Sequence, residues 1–122
     1  ARAGQAAGCT EALFTLGDRP EQRWPQAREF LDHRGLATTI DYVAEMSELV
    51  VAETSLFPHA NPGVMDDGDL AGLRPSNVSM GLMLENVSPR LMEPGMPHHG
   101  AGSKDPAARI ATIEAAARRH VP

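Results

Sequence analysis

The stretch Asn77-Val78-Ser79-Met80-Gly81-Leu82-Met83-Leu84-Glu85 alternates two kinds of side chain. Successive residues of an extended strand point to opposite faces. Val78, Met80, Leu82 and Leu84 therefore share one face, and Asn77, Ser79, Gly81, Met83 and Glu85 share the other. The first face suits a layer of helices. The second is small and polar and ends in a carboxylate. In barrels of parallel strands, ligand-binding residues stand at the strands' C-terminal ends. A half-exposed strand whose polar face meets water has the same pattern, and the pattern alone leaves both open.

Working outward, strand-length apolar runs alternate with helical patterns. Leu56-Phe57 reads as a second strand, closed by Pro58-His59-Ala60-Asn61-Pro62-Gly63. Glu11 to Leu16 reads as a first strand, ended by Gly17. Strands are thus expected at about 11–16, 55–59 and 77–84. Asp18 and Glu21 have the spacing of a capping box. A helix is predicted from Trp24-Pro25 to His33, stopped by Gly35. Thr38 or Thr39 caps the next, whose Ile40, Val43, Met46, Val50 and Val51 keep roughly a 3.6 period. A short helix is expected near Asp67–Leu73, and a helical turn at Ser88-Pro89. Asp105-Pro106 opens a last helix that is predicted to turn Ile110 and Ile113 inward and ends in Arg118-Arg119-His120, cations suited to a helix C-terminus.

This alternation predicts an α/β fold with a parallel sheet, the strands ordered as in the sequence. Three strands cannot close a barrel, which needs about 250 residues. The expectation is a small open α/β domain or an arc of a barrel.

Bulk properties narrow the function. The 122 residues allow one modest core. A net charge of −5, with its 11 Lys and Arg scattered, disfavours nucleic acid and anionic membranes as partners. No apolar run approaches a membrane span, and no signal peptide opens the chain. The single cysteine, Cys9, permits no intrachain disulfide, in keeping with a cytoplasmic location. Both ends read as cuts in a longer chain: no Met opens it, and Val121-Pro122 follow a helix where a strand is due.

Several groups could carry chemistry. Glu11, after Gly8-Cys9-Thr10, could hold an ammonium group or be a solvated strand start. Cys9 reads as a small buried residue. His59 and Asn61 lie among conformationally restricted residues that could present polar groups to a ligand or form an ordinary turn. His98-His99 has no second cluster at ligand spacing, so no metal site is expected. Arg109, near Lys104, could clamp a carboxylate or face solvent. No phosphate loop, dinucleotide fingerprint or Ser-His-Asp arrangement is present.

Four stretches are more specific. Gly8-Cys9-Thr10-Glu11-Ala12-Leu13-Phe14-Thr15-Leu16-Gly17-Asp18-Arg19-Pro20-Glu21, Pro58-His59-Ala60-Asn61-Pro62-Gly63-Val64-Met65, Ser79-Met80-Gly81-Leu82-Met83-Leu84-Glu85, and Lys104-Asp105-Pro106 with Arg109-Ile110 and Thr112-Ile113 occur in this order. Together they resemble the 7,8-didemethyl-8-hydroxy-5-deazariboflavin synthases, in the half that closes the deazaflavin ring. The resemblance implies a radical S-adenosylmethionine (SAM) enzyme on a TIM-like barrel. Residues 1–122 would be a partial core domain, an arc of about three β/α units. The family's Cys-x-x-x-Cys-x-x-Cys loop for a 4Fe-4S cluster lies upstream of the matching region, and this chain has no such motif. The implied reaction turns a tyrosine–ribityluracil adduct into the chromophore with release of ammonia, beside a companion subunit or fused domain that couples tyrosine to the uracil. By the same resemblance Thr10 and Glu11 would contact the SAM amino group, Glu85 the ribose hydroxyls and Arg109 the carboxylate. Asn77 and Ser79 would face the barrel interior nearby, and His59 and Asn61 would border the organic substrate. Glu11, Glu85 and Arg109 are accordingly expected to converge at the strands' C-terminal ends. Another radical SAM barrel, such as a menaquinone-pathway enzyme, or a non-catalytic α/β binding module are the alternatives, and Glu11-Ala12-Leu13-Phe14-Thr15 argues against the first.

Overall fold

Three parallel strands lie side by side in sequence order in the computed structural model, which describes all 122 residues. They are β1 (Glu11–Thr15), β2 (Phe57–Asn61) and β3 (Ser79–Met80). Glu11 pairs with Phe57 and Thr15 with Asn61, while His59 pairs with Ser79 and Ala60 with Met80. Five helices complete the chain: α1 (Arg2–Ala6), α2 (Pro25–Asp32), α3 (Thr39–Glu53), α4 (Asp67–Leu73) and α5 (Pro106–Arg118). The parallel α/β sheet is open, as expected.

The helix starts follow local chemistry. Thr38 and Asp41 form a reciprocal capping box on α3, and Asp66 and Asp69 form one on α4. Pro25 and Pro106 open α2 and α5, and Asp105 accepts from the Ala107 N–H. The core lies on one face of the sheet. Ile40 and Val43 of α3, Leu70 and Leu73 of α4 and Ala115 of α5 meet Ala60 of β2 and Met65 there. Phe14, Leu16 and Met80 pack against them from the strand side. On the other face Leu13 and Phe57 remain about 60% exposed, at 62% and 58%.

Several boundaries differ from expectation, each for a physical reason. β2 continues through Pro58-His59-Ala60-Asn61, read above as a turn. Pro58 lacks an N–H, but its carbonyl accepts from Val78 N at 3.1 Å, and its ring is fully buried. β3 is much shorter than 77–84. Gly81 N still donates to Ala60 O (2.9 Å), but β2 then ends, and residues from Leu82 onward have no ladder partner. Glu85 breaks the extension outright, at φ +67°. On the far edge of β3, Met80 N donates to Pro122 O at 3.3 Å.

Ile110 and Ile113 are not buried: they stay 38% and 42% exposed, and α5 buries Pro106, Arg109, Thr112 and Ala115 instead. On α3 the inward stripe is Ile40-Val43-Ser47, and Val51 is exposed. Asp18 does not cap a helix. The helical turn Pro20–Gln22 has Arg19 before it, at φ 38°. Asp18 instead accepts from Val64 N at 2.7 Å, and Glu21 accepts from the Thr39 hydroxyl at 2.6 Å. Cys9 is exposed, not buried.

Candidate functional site

The C-terminal ends of the three strands frame a cleft of about 250 Å³. Thr15, Leu16, Gly17 and Asp18 line it from β1, Asn61 and Gly63 from β2, and Met83 and Glu85 from the segment after β3. Ser103, Lys104 and Arg109 close it from the start of α5. Alternation on short strands delivers these groups: Thr15 and Asn61 are register partners and the last residues of their strands.

The loops of the cleft are tied to one another. Asp18 holds the Gly63-Val64 turn through the Val64 N–H. Gly63 has φ +94°, and a Cβ there would lie 2.8 Å from Asp18 Cγ. Arg109 is 5% exposed, and its Nε donates to Ser103 O at 2.8 Å while Nη1 donates to Met83 O. One guanidinium thus fastens the segment after β3 to the loop before α5, and its Nη2 makes no hydrogen bond to protein. Lys104 pairs with Glu85. The hydrogen bond from Lys104, and then its charge, hold the Glu85 carboxyl below the usual carboxylate range, with Arg109 and His98 adding to the effect.

A second polar group lies on the uncovered face of the sheet. His59 Nδ1 is 2.6 Å from Ser79 Oγ and 3.6 Å from Glu11 Oε1. Gly81 makes room for the ring, since a Cβ there would stand 2.9 Å from His59 Nε2.

The structure therefore brings Glu85 and Arg109 together but not Glu11. Glu11 and Thr10 lie at the N-terminal end of β1, a strand's length from the cleft, because Glu11 begins the strand and Thr15 ends it. Asn77 does not face an interior cavity. It is 2% exposed and lies before β3 on the helix side, where its amide donates to Leu73 O at 3.0 Å and its Oδ1 meets Ser47 Oγ at 3.4 Å. Ser79 and His59 share the open face, and Asn61 lies on that face at the cleft. Sequence reasoning missed Asp18 and Thr15 as cleft residues and named Lys104 only as a neighbour of Arg109. The signal for the first two was their place at the C-terminal end of the first strand and just after it, not at its start.

Known proteins match this chain along its whole length. It is 54% identical over 123 residues to an FO synthase of Nocardia farcinica, covering 100% of this chain and 14% of that protein. It is 50% identical over 123 residues to an FO synthase of Mycobacterium tuberculosis, again covering 100% of this chain and 14% of the relative. A 7,8-didemethyl-8-hydroxy-5-deazariboflavin synthase of Methanopyrus kandleri is 40% identical over 119 residues, 98% of this chain and 36% of its own length. The chain thus spans only about a seventh of the FO synthases it matches. No protein-family profile matches it, and no solved structure does. No helix is long and apolar enough to cross a membrane.

Proposed function

We propose that this chain is part of the core of a deazaflavin synthase, the ring-closing enzyme that makes 7,8-didemethyl-8-hydroxy-5-deazariboflavin from a tyrosine–ribityluracil adduct and releases ammonia. The observation that carries the proposal is full-length identity of 50–54% to FO synthases, joined to a polar cleft at the C-terminal ends of parallel strands. On this reading the three strands are an arc of a barrel. The bare face carrying Leu13, Phe57 and His59 would be its interior.

The donor set of the cleft fits SAM. A zwitterion with an ammonium, a carboxylate and two ribose hydroxyls needs anionic, cationic and carboxylate acceptor groups close together, and Asp18, Arg109, Lys104 and Glu85 provide them. Asp18 and Thr15 take the ammonium in place of Glu11 and Thr10, which lie at the wrong end of β1. Glu85 accepts from the ribose, and the free Nη2 of Arg109 receives the carboxylate. When bound beside a reduced 4Fe-4S cluster, SAM supplies a carbon radical that takes hydrogen from the organic substrate. Thiolates outside this chain would hold that cluster, since Cys9 is the single cysteine here.

The Nocardia protein is about two and a half times as long as the Methanopyrus one, judged by the shares of 14% and 36% that this chain covers. That difference leaves room for the companion tyrosine-coupling half in the same chain. A cytoplasmic, oxygen-protected setting suits such chemistry. The test is reconstitution of the full-length protein without oxygen, with SAM, reductant and the adduct. The reading requires fluorescent deazaflavin and equimolar ammonia, and 5′-deoxyadenosine without deazaflavin would refute it.

A further inference from the structure

We infer that His59 is the proton carrier of ring closure, poised by Ser79 and Glu11; this rests on the function proposed above. Nδ1 has two oxygen neighbours, Ser79 Oγ at 2.6 Å and Glu11 Oε1 at 3.6 Å. A carboxylate can only accept a hydrogen bond. Glu11 therefore favours the tautomer with the proton on Nδ1, and Ser79 Oγ accepts it. Nε2 is then the basic nitrogen. It makes no hydrogen bond to protein and lies over Gly81, at the one position of β3's extension where the lack of a side chain leaves it room.

Its location fits the task. His59 precedes Asn61 by two residues on β2, so both project from the same face, His59 about 7 Å below the cleft. An organic substrate held beside the cleft and over the bare face of the sheet reaches Nε2. Glu11 is the charged side chain within ion-pair distance of the imidazole.

The proton steps balance on one imidazole. After the SAM-derived radical has taken one hydrogen atom, closing the ring replaces two X–H bonds of the adduct with one new ring bond, and one proton and one electron must still leave. Nε2 takes the proton, and the electron passes to a one-electron acceptor of the iron–sulfur class. The imidazolium, steadied by Glu11, is then the acid beside the amine that must depart. Its proton passes from Nε2 to the departing nitrogen as the C–N pair moves onto that nitrogen. Ammonia leaves, the neighbouring C–H pair fills the vacated carbon as its proton passes to solvent, and the imidazole returns neutral. The two electrons removed in ring closure are balanced by the reductive cleavage of SAM.

Ser79 and Glu11 are positioning residues here, and His59 is the catalytic one. The test uses the full-length synthase with its cluster reconstituted. His59→Asn keeps a partner for Ser79 and removes Nε2. Adduct binding, measured calorimetrically without reductant, should stay within about threefold of the parent protein. Formation of 5′-deoxyadenosine should persist while deazaflavin falls about 100-fold or more, the usual loss on removing a general base. Added imidazole should restore part of the deazaflavin. Undiminished deazaflavin would overturn the inference, as would loss of adduct binding or of 5′-deoxyadenosine in step with it. Should His59→Asn fail to fold, Ser79→Ala carries the test: it should uncouple the same two products about tenfold, and Ser79→Thr should recouple them. A parent protein that makes no deazaflavin at all would refute the proposed function instead.

Discussion

Gly63 turns the chain where β2 ends, with its φ at +94° and Asp18 packed where a side chain would begin. Alanine there meets two obstacles, a left-handed backbone and the Asp18 carboxyl. Gly63→Ala should lower stability by about 1–3 kcal/mol, read as a shift of the urea midpoint. Adding Asp18→Ala should recover only part of the loss, because the backbone conformation remains. Arg109 has a different double role. Its Nε and Nη1 hold two backbone carbonyls, and the residue also lines the cleft. Arg109→Ala should reduce SAM affinity and conformational stability together, each by about 1.5–3 kcal/mol, as for hydrogen bonds to a charged group. A loss of stability with unchanged SAM affinity would confine Arg109 to the scaffold. At this scale the sequence was a partial guide. Glu85 and Arg109 stand together at the cleft as expected, although β3 ends well before Glu85 and Arg109 lies a turn inside α5. Asn77 was not legible, since it lies before β3 in the turn after α4, where its backbone and side-chain N–H groups both donate to Leu73 O and strand alternation does not apply. Glu11 was misplaced for a related reason: its residue type suited the role, but its position at the strand's start did not.

The elements are joined by caps as much as by the core. Glu21 lies in the turn after β1, yet its carboxylate accepts from the Thr39 N–H at 3.2 Å and the Thr39 hydroxyl at 2.6 Å. It thereby fastens the start of α3 from outside. Burial pushes its carboxyl up, but the hydrogen bonds from Thr39 and from its own backbone, aided by Arg19, outweigh that and hold it below 4.5. A carboxyl lowered on folding stabilises the fold above its unfolded value and loses that contribution as pH falls through the folded one. Glu21→Gln should therefore cost about 1 kcal/mol at neutral pH, and the difference from the parent should shrink as pH drops below about 4.5. Hydrogen exchange at the Thr39 amide checks both. α3 and α5 begin where caps and prolines put them, and α4 spans the residues expected of it, but α1 (Arg2–Ala6) was not anticipated. What α5 buries was not legible. Ile110 and Ile113 are its bulkiest apolar residues, but the contact with Met65 is made through Thr112, whose hydroxyl donates to Met65 O at 2.9 Å and accepts from Met65 N at 3.1 Å. A polar residue thus takes the inward position that hydrophobicity alone assigned to isoleucine.

Over the whole molecule the sheet has one covered face, one bare face and two outer edges. Parallel sheets are ordinarily covered on both faces, but Leu13 and Phe57 are exposed here; on the proposed function they would line a larger barrel. The chain by itself should be marginally stable and prone to edge pairing. It should also form no 5′-deoxyadenosine when given iron, sulfide, reductant and SAM without oxygen, because one thiolate cannot hold a cluster. Product above background would contradict this. The parallel order of the strands was legible from the alternation of apolar runs with helices, but their lengths were not. Strand ends depend on partners: β3 stops where β2 stops, and β2 runs through a proline that sequence reasoning takes as a breaker. The central claim is that the cleft at the strand ends binds SAM. Its most direct test is equilibrium binding of SAM to the full-length synthase with Glu85→Gln, without adduct or reductant. The account predicts a Kd raised about tenfold or more, the equivalent of roughly 1.5 kcal/mol for one charge-assisted hydrogen bond. A Kd equal to that of the parent protein would contradict it.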